Sequence, residues 1–271
     1  MDANRTHALL ELIGSSRVYD LAQPFEPGMP QSPNHPTYTH RLQRRHGDRI
    51  RPGGGSSASD LIQLGAHVGT HIDALAHVSQ DGRLYGGLDA AEAQRSGRLD
   101  VHAVDSIKPI VCRGVLLDVP RALGKDLLAG GYEITAADVE ETLAAQSLEL
   151  RPGDAVLVRT GWTAHWRDPT AFLGVETGVP GVGLETARLI CDGGARVTGS
   201  DTTAYEVIPS GLGHARVPVH SLLLVERGVN IIEMLRLEDL ASAEVWEFVF
   251  LAAPLNLVGA TGSPLRPLAI A

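Results

Sequence analysis

Four side chains able to grip a cation or carry a proton crowd into one stretch, His67-Val-Gly-Thr-His71-Ile-Asp73-Ala-Leu-Ala-His77. The chain has 11 histidines among 271 residues, so three within 11 positions, with an aspartate among them, stand well above background. Spacing sharpens the point. In an extended chain, alternate residues face the same way, which aligns His67, His71, Asp73 and His77. His71 and Asp73 lie about 6.6 Å apart between Cα atoms at strand rise, close enough to meet on one ion. His67 would be about 13 Å from His71 along a straight strand. A bend is therefore needed, and Gly69 tolerates the backbone angles that supply it. The expected arrangement is a kinked strand or strand–turn with two neutral imidazoles and one carboxylate converging. Such a set suits Zn2+ or Mn2+ and leaves coordination positions open for water and substrate. The competing reading, buried or surface histidines with no ion, fits any one of them taken alone but not the four together.

Other chemistry-bearing residues are more ambiguous. His165 lies between Trp162 and Trp166 and either frames an aromatic pocket or borders core, the commoner place for tryptophans near strand ends. Asp118 ends an apolar run and is either a group behind the ligands or a turn residue. His214, in Gly211-Leu-Gly-His214, reads as a surface-loop residue. Cys112 and Cys191 are far apart, in no metal-type spacing, and read as reduced packing residues.

The elements that must position these groups alternate irregularly between strand and helix. Val18–Leu21, Val101–Ala103, Gly114–Asp118, Ala155–Arg159, Ala195–Gly199, Val229–Glu233 and Trp246–Leu251 read as strands. Thr6–Ile13, Thr135–Ala145, Leu184–Asp192 and Ser221–Arg227 read as helices. Thr135 with Asp138 three residues on is close to a capping box. Arg151-Pro-Gly-Asp154 is a turn. Between Pro24 and Pro36 five prolines and one glycine exclude helix and central strand, leaving a long ordered arm. Loops of that length in compact domains usually serve function or contact a partner. The basic run Arg41–Arg51, with Arg44, Arg45 and Arg49 beside Pro52-Gly-Gly-Gly55, reads as a solvated loop. No repeat or composition break divides the chain. The expectation is a single α/β domain over residues 1–271, a mixed sheet flanked by helices, with the Pro-rich arm at about 22–58.

Bulk properties narrow the function. A formal net charge of −9 argues against nucleic acid as a partner. No apolar run approaches the roughly 20 residues that cross a bilayer. The first residues lack the basic-then-apolar pattern of a signal peptide. A cytoplasmic enzyme acting on a small molecule, with no nucleic-acid or membrane partner, fits best.

The site segment resembles the signature of the cyclase-like metal-dependent hydrolases, His-x-Gly-Thr-His-x-Asp-x-Pro-x-His. That family includes kynurenine formamidase, isatin hydrolase and trans-dienelactone hydrolase. Only Leu75 departs, where the family has proline. Val78-Ser-Gln-Asp-Gly-Arg-Leu-Tyr-Gly-Gly87 is similar to the longer, isatin-hydrolase-like branch. Further blocks match along the chain: Tyr19-Asp-Leu21 with Pro24–Pro30, Asp154–Trp162, Pro180–Leu184, Gly199–Thr202, Val219–Leu224 with Gly228–Glu233, and Gly262–Leu268. The resemblance implies a swivelling β/β/α fold, with His67, His71 and Asp73 as metal ligands and His77 as the acid–base residue. It also implies that His220 and Glu233 either bind a second ion or line the pocket, although Glu233-Met-Leu stands where the family continues Glu-Asn-Leu. Phe25 and Met29 would cover a pocket, that of a neighbouring subunit in a homodimer or homotetramer, and Trp162 is a further substrate-binding candidate.

The expected activity is cleavage of an amide, lactam or lactone by metal-activated water. Three alternatives stay open. One is a ring-closing cyclase sharing fold and metal set. Another is a non-haem Fe(II) oxygenase using His71, Asp73 and a distant histidine such as His220, which leaves His67 and His77 unexplained. The last is a non-catalytic metal-binding protein.

Overall fold

The computed structural model describes residues 3–271. Its core is a nine-stranded mixed sheet. In chain order the strands are β1 (Val18–Asp20), β2 (His71–Asp73), β3 (Ile110–Asp118), β4 (Ala155–Arg159), β5 (Val197–Ser200), β6 (Asn230–Glu233), β7 (Glu247–Ala252), β8 (Gly262–Pro264) and β9 (Leu268–Ile270). They lie in the order β1-β9-β7-β3-β4-β5-β6-β2-β8. The central four, β3-β4-β5-β6, run parallel, and every other pairing is antiparallel.

Parallel strands are covered on both faces, which is why β3 and β4 carry the apolar runs Val115–Leu117 and Ala155–Val158. Alternate residues serve opposite cores. Leu116, Leu157 and Ile232 enter one cluster with Leu21, Ile72 and Phe250. Val115, Leu117, Val156, Val158 and Ile231 enter another with Val139, Ile190 and Leu222 from the covering helices. Helix α1 (Ala136–Gln146) begins with the expected capping box, Thr135 and Asp138 each accepting from the other's backbone N–H. Helix α2 (Leu184–Asp192) has the bounds its apolar spacing predicts. Residues Ser221–Arg227 are helical as expected but wind as a π-helix, closed by Gly228 in the left-handed region.

Three expectations change. Val101–Ala103 is not a strand. His102 has φ +54°, which no strand continues through, and a 3-10 turn at Val104–Ser106 follows. The basic run is exposed, but its first part is strand: Thr39–Arg44 pairs antiparallel with Ser59–Gln63 in a separate hairpin. The three-residue strands β8 and β9 were hidden among prolines and glycines, and Pro264 is tolerated because β8 is an edge. The Pro24–Pro36 stretch is irregular loop, as its prolines require.

For the site, the decisive feature is where β2 lies. It enters antiparallel between β6 and β8, setting His71 opposite Glu233 on one side and Asp73 opposite Gly262 on the other.

Candidate metal centre

The stretch carrying the four site residues forms a turn, a short strand and a 3-10 helix. Gly69 sits at the kink with φ +63°, and the ring of Phe25 fills the space where a Cβ would stand. Beyond it His71 and Asp73 leave β2 on one face, and Leu75–His77 closes into the 3-10 helix. Leu75, in place of proline, packs partly buried against the helical core, and the turn forms without a side-chain cap.

This kink brings His67 back. Its Nδ1 lies 2.7 Å from Asp73 Oδ1, and its Nε2 lies 2.8 Å from Thr261 Oγ1. His71 Nε2 stands 3.5 Å from Asp73 Oδ1 and 3.4 Å from Glu233 Oε2. On the far side, His220 Nε2 stands 3.1 Å from Glu233 Oε1 and 3.6 Å from Asp73 Oδ2. Two groups result, His67/His71/Asp73 and Asp73/His220/Glu233, each with ligand atoms within 4.8 Å of one another and all residues buried. Asp73 belongs to both.

The proton inventory shows that the donor set fits a cation. His71 Nδ1 lies 2.7 Å from the Gly69 carbonyl, which can only accept, so Nδ1 carries the proton and Nε2 presents a lone pair. That lone pair faces the carboxylates of Asp73 and Glu233. His220 repeats the pattern, with Nδ1 donating to Glu206 Oε1 at 2.6 Å and Nε2 facing Glu233 and Asp73. Lone pairs aimed at carboxylates repel unless a proton or a metal ion lies between them. Carbonyl or carboxylate groups behind the ligand imidazoles are the usual support of such centres.

Without a cation, protons take its place. Burial opposes charge on His71, but the hydrogen bond and charge of Asp73, together with Glu233, raise its pKa. His220 is raised well above the ordinary value in the same way, burial being outweighed by Glu206 and Glu233. Asp73 is held well below the carboxylate range, again against burial, by the imidazoles of His77, His67 and His71. His77 behaves oppositely. Burial and repulsion from His67, His220 and His71 push it down to about 3, with Asp73 opposing, so its ring is neutral at any working pH. It stacks on His67 at 3.8 Å, and among the described residues its ring makes no hydrogen bond to protein.

These groups open into a cavity of about 200 Å³. Ser32, Asn34 and His35 of the Pro-rich arm form one wall, and His214 with Val217 another. Thr203 lines it too, buried, its Oγ1 without a hydrogen-bond partner. A larger groove of about 810 Å³ lies elsewhere, against β1, β7 and β9, and holds neither ligand group.

The fold thus brings together His67, His71, Asp73, His77, His220 and Glu233. It does not bring Phe25, Met29 or Trp162 into the cavity. Phe25 backs Gly69, Met29 packs with Tyr38 and Val68, and Trp162 lies in core with its indole N–H donating to Phe172 O. His165 meets Trp162 edge-on. Asp118 is a structural ion-pair partner, holding Arg159 at 2.7 Å and Arg121 at 3.2 Å. His214 is a loop residue that also walls the cavity. Sequence reasoning missed Glu206, Thr261, Thr203 and His35, none of which shares a motif or spacing with the ligands.

Around the centre the backbone is held in unusual conformations. Besides Gly69, Tyr205 (φ +58°) and Met234 (φ +54°) are left-handed without being glycine. Such strain persists where surrounding structure enforces it, commonly at functional sites. Gly262 is needed for a different reason, since a Cβ there would meet His67 Cε1 at 2.6 Å.

Known proteins share this arrangement of chain. The isatin hydrolase of Roseibium aggregatum is 26% identical over 217 residues, covering 79% of this chain and 74% of that protein. The kynurenine formamidase of Delftia acidovorans is 27% identical over 250 residues, 92% of this chain and 95% of that one. A crystal structure described as a novel cyclase superposes with a TM-score of 0.86 at 31% identity, covering 100% of this chain and 92% of that chain. An isatin hydrolase bound to the product analogue thioisatinate shares the fold, with a TM-score of 0.76 at 22% identity and coverage of 100% and 99%. Residues 19–207 match the family described as putative cyclase, so with its buried imidazole–carboxylate centre the chain belongs to the cyclase family of metal-dependent hydrolases.

Proposed function

We propose that this protein hydrolyses an amide, lactam or lactone of a small cyclic or aryl-substituted substrate. In this reading His67, His71 and Asp73 hold a divalent ion and His77 moves the proton. The observation that carries it is the pair of imidazole lone pairs converging with carboxylates beside a neutral, unbonded His77. The names of the relatives, an isatin hydrolase and a kynurenine formamidase, support lactams and aryl amides as first candidates.

A bound divalent ion supplies Lewis-acid polarisation of a carbonyl and a water acidic enough to act near neutral pH. The chain's own groups do the rest. His77 accepts a proton at a ring nitrogen that no protein group occupies, then returns it to the departing nitrogen or oxygen. Asp73 favours the imidazolium that forms, because its charge opposes the burial that otherwise keeps the ring neutral. Thr203 Oγ1 offers the substrate a hydrogen bond within the cavity. The cavity lining contains no Arg or Lys, which favours a neutral substrate.

Two imidazoles and a carboxylate suit Zn2+ or Mn2+ in the first group, and Asp73, His220 and Glu233 offer a second ion a more oxygen-rich set. We also assign the protein to the cytoplasm, where its free Cys112 and Cys191 stay reduced, and to a homodimer or homotetramer. Among the described residues no helix is long and apolar enough to cross a membrane. The hairpin Thr39–Arg44/Ser59–Gln63 exposes Leu42, Leu61 and Ile62, and two strands alone are marginally stable. A second copy packing there would cover them.

The test is turnover after chelation and reloading with Mn2+ or Zn2+, followed by absorbance on isatin, formyl-anilides, cyclic imides and lactones. Metal-dependent ring opening or deformylation without oxygen consumption is expected. Ring closure of an open acid in place of hydrolysis would move the protein to the cyclase reading. Fe(II)-dependent oxygen uptake would move it to the oxygenase.

A further inference from the structure

Glu206 is a carboxylate buried almost completely on a loop that no motif marks. No Arg or Lys among the described residues pairs with it. Its contacts are with the start of the helical run Pro218–Arg227: Oε2 accepts from Val219 N at 3.0 Å, and Oε1 from His220 N at 2.9 Å. Those backbone N–H groups belong to the first turn, where no helical carbonyl can satisfy them. The glutamate is thus anchored at a helix N-terminus whatever the His220 ring does. The same Oε1 then takes the His220 Nδ1 proton at 2.6 Å. The anchored acid therefore dictates which ring nitrogen is protonated. Nε2 is left bare, directed at Glu233 Oε1 and Asp73 Oδ2.

Charge balance leads the same way. Asp73, Glu206 and Glu233 are three buried carboxylates in one connected cluster, with only imidazoles to oppose them. Buried charge of that density requires a counter-charge.

From this arrangement we infer that Glu206 is a positioning residue for a second divalent ion, held by Asp73, His220 and Glu233. By fixing the His220 tautomer it turns that ring from a proton carrier into a ligand. The inference rests on the proposed reading of Asp73, His220 and Glu233 as holders of a second ion and adds the residue that orients one of those ligands.

The experiment is titration of chelator-stripped full-length protein with Co2+, read by visible absorbance and calorimetry, for the wild type and Glu206→Gln. The wild type is expected to take up two equivalents. Glu206→Gln should keep the first, at His67, His71 and Asp73, and bind the second about 10–100-fold more weakly. Two equivalents of unchanged affinity in Glu206→Gln would reduce Glu206 to a helix cap and overturn the assignment. One equivalent in both proteins would also overturn it while leaving the single-ion hydrolase standing. No uptake by the wild type would instead remove the metal reading beneath it. If Glu206→Gln does not fold, imidazole ¹⁵N spectra of the loaded wild type decide. A His220 protonated at Nδ1 and shifted by metal at Nε2 supports the inference, and the reverse tautomer overturns it.

Discussion

The rings of His67 and His77 lie stacked, 3.8 Å between centroids and 24° between planes. One belongs to the ligand group and makes two polar contacts, while the other makes none. Burial and the surrounding imidazoles push the His77 pKa down to about 3, so that its ring is held neutral. In the proposed reading, position rather than residue type separates ligand from proton carrier.

That separation predicts how His77→Ala behaves. The cluster His67/His71/Asp73 is untouched, so metal content by elemental analysis should stay at the wild-type level. Turnover on the best substrate should fall about 10²–10⁴-fold, the usual contribution of a positioned acid–base group. Undiminished turnover with full metal would take His77 out of the mechanism.

Gly69 tests the kink. Gly69→Ala puts a Cβ at φ +63° and within 2.5–2.7 Å of the Phe25 ring. The backbone term alone costs about 1–2 kcal/mol. Because His67 and His71 flank the kink, weaker metal binding should accompany the loss of stability in urea unfolding. Adding Phe25→Leu should recover only the steric part. A Gly69→Ala variant as stable and as metal-avid as wild type would show that the bend does not depend on glycine.

How much of this was legible beforehand follows from distance along the chain. His67, His71, Asp73 and His77 share 11 residues, and a local bend suffices to gather them, so spacing alone exposed them. Thr261, 194 residues after His67, arrives only because β8 flanks β2, and Glu206, 14 residues before His220, only because the loop after β5 packs on the start of the Pro218–Arg227 helical run. Nothing in a linear pattern encodes that neighbourhood. Central strands such as Ala155–Arg159 were plain because burial on both faces demands continuous apolar residues. The strands Gly262–Pro264, at the sheet edge, and Leu268–Ile270, between β1 and β7, were not, being three residues long among prolines and glycines. Within its own chain Phe25 backs Gly69 and does not line the cavity, and an apolar side chain that backs a site looks in sequence like one that lines it.

Asp201 carries a pH prediction. It is fully buried, and burial pushes its pKa up to about 6, although it accepts from Thr160 N, Thr160 Oγ1 and Gly161 N; Glu238 adds to the rise and Arg159 opposes it. A carboxyl raised from 3.8 binds its proton more tightly folded than unfolded. Its stabilising contribution is therefore complete below about pH 4 and lost as pH climbs through 6, and stability falls across that window. The size is on the order of 2–3 kcal/mol. Asp201→Asn should be less stable at pH 4, since an amide N–H would face Gly161 N–H, and its difference from wild type should shrink between pH 4 and 6. A difference in urea-unfolding free energy that is constant over that range would mean Asp201 does not titrate there.

Thr203 gives the prediction closest to substrate recognition. Its hydroxyl is buried and unpartnered on the cavity wall, an arrangement that costs stability unless something binding there uses it. The loop holding it is rigid: Ser200 Oγ and Thr202 Oγ1 are 2.8 Å apart, and Thr202 O accepts from Met234 N. Thr203→Val keeps the shape and deletes the donor. It should leave unfolding stability unchanged or slightly raised, because no protein hydrogen bond is lost. One neutral hydrogen bond is worth about 0.5–1.5 kcal/mol, so kcat/KM should drop about 3- to 10-fold, with metal content constant. Thr203→Ser, which restores the hydroxyl, should recover most of the loss. If Thr203→Val instead destabilises the fold and Thr203→Ser does not rescue turnover, the hydroxyl serves packing and the substrate is oriented by other groups in the cavity.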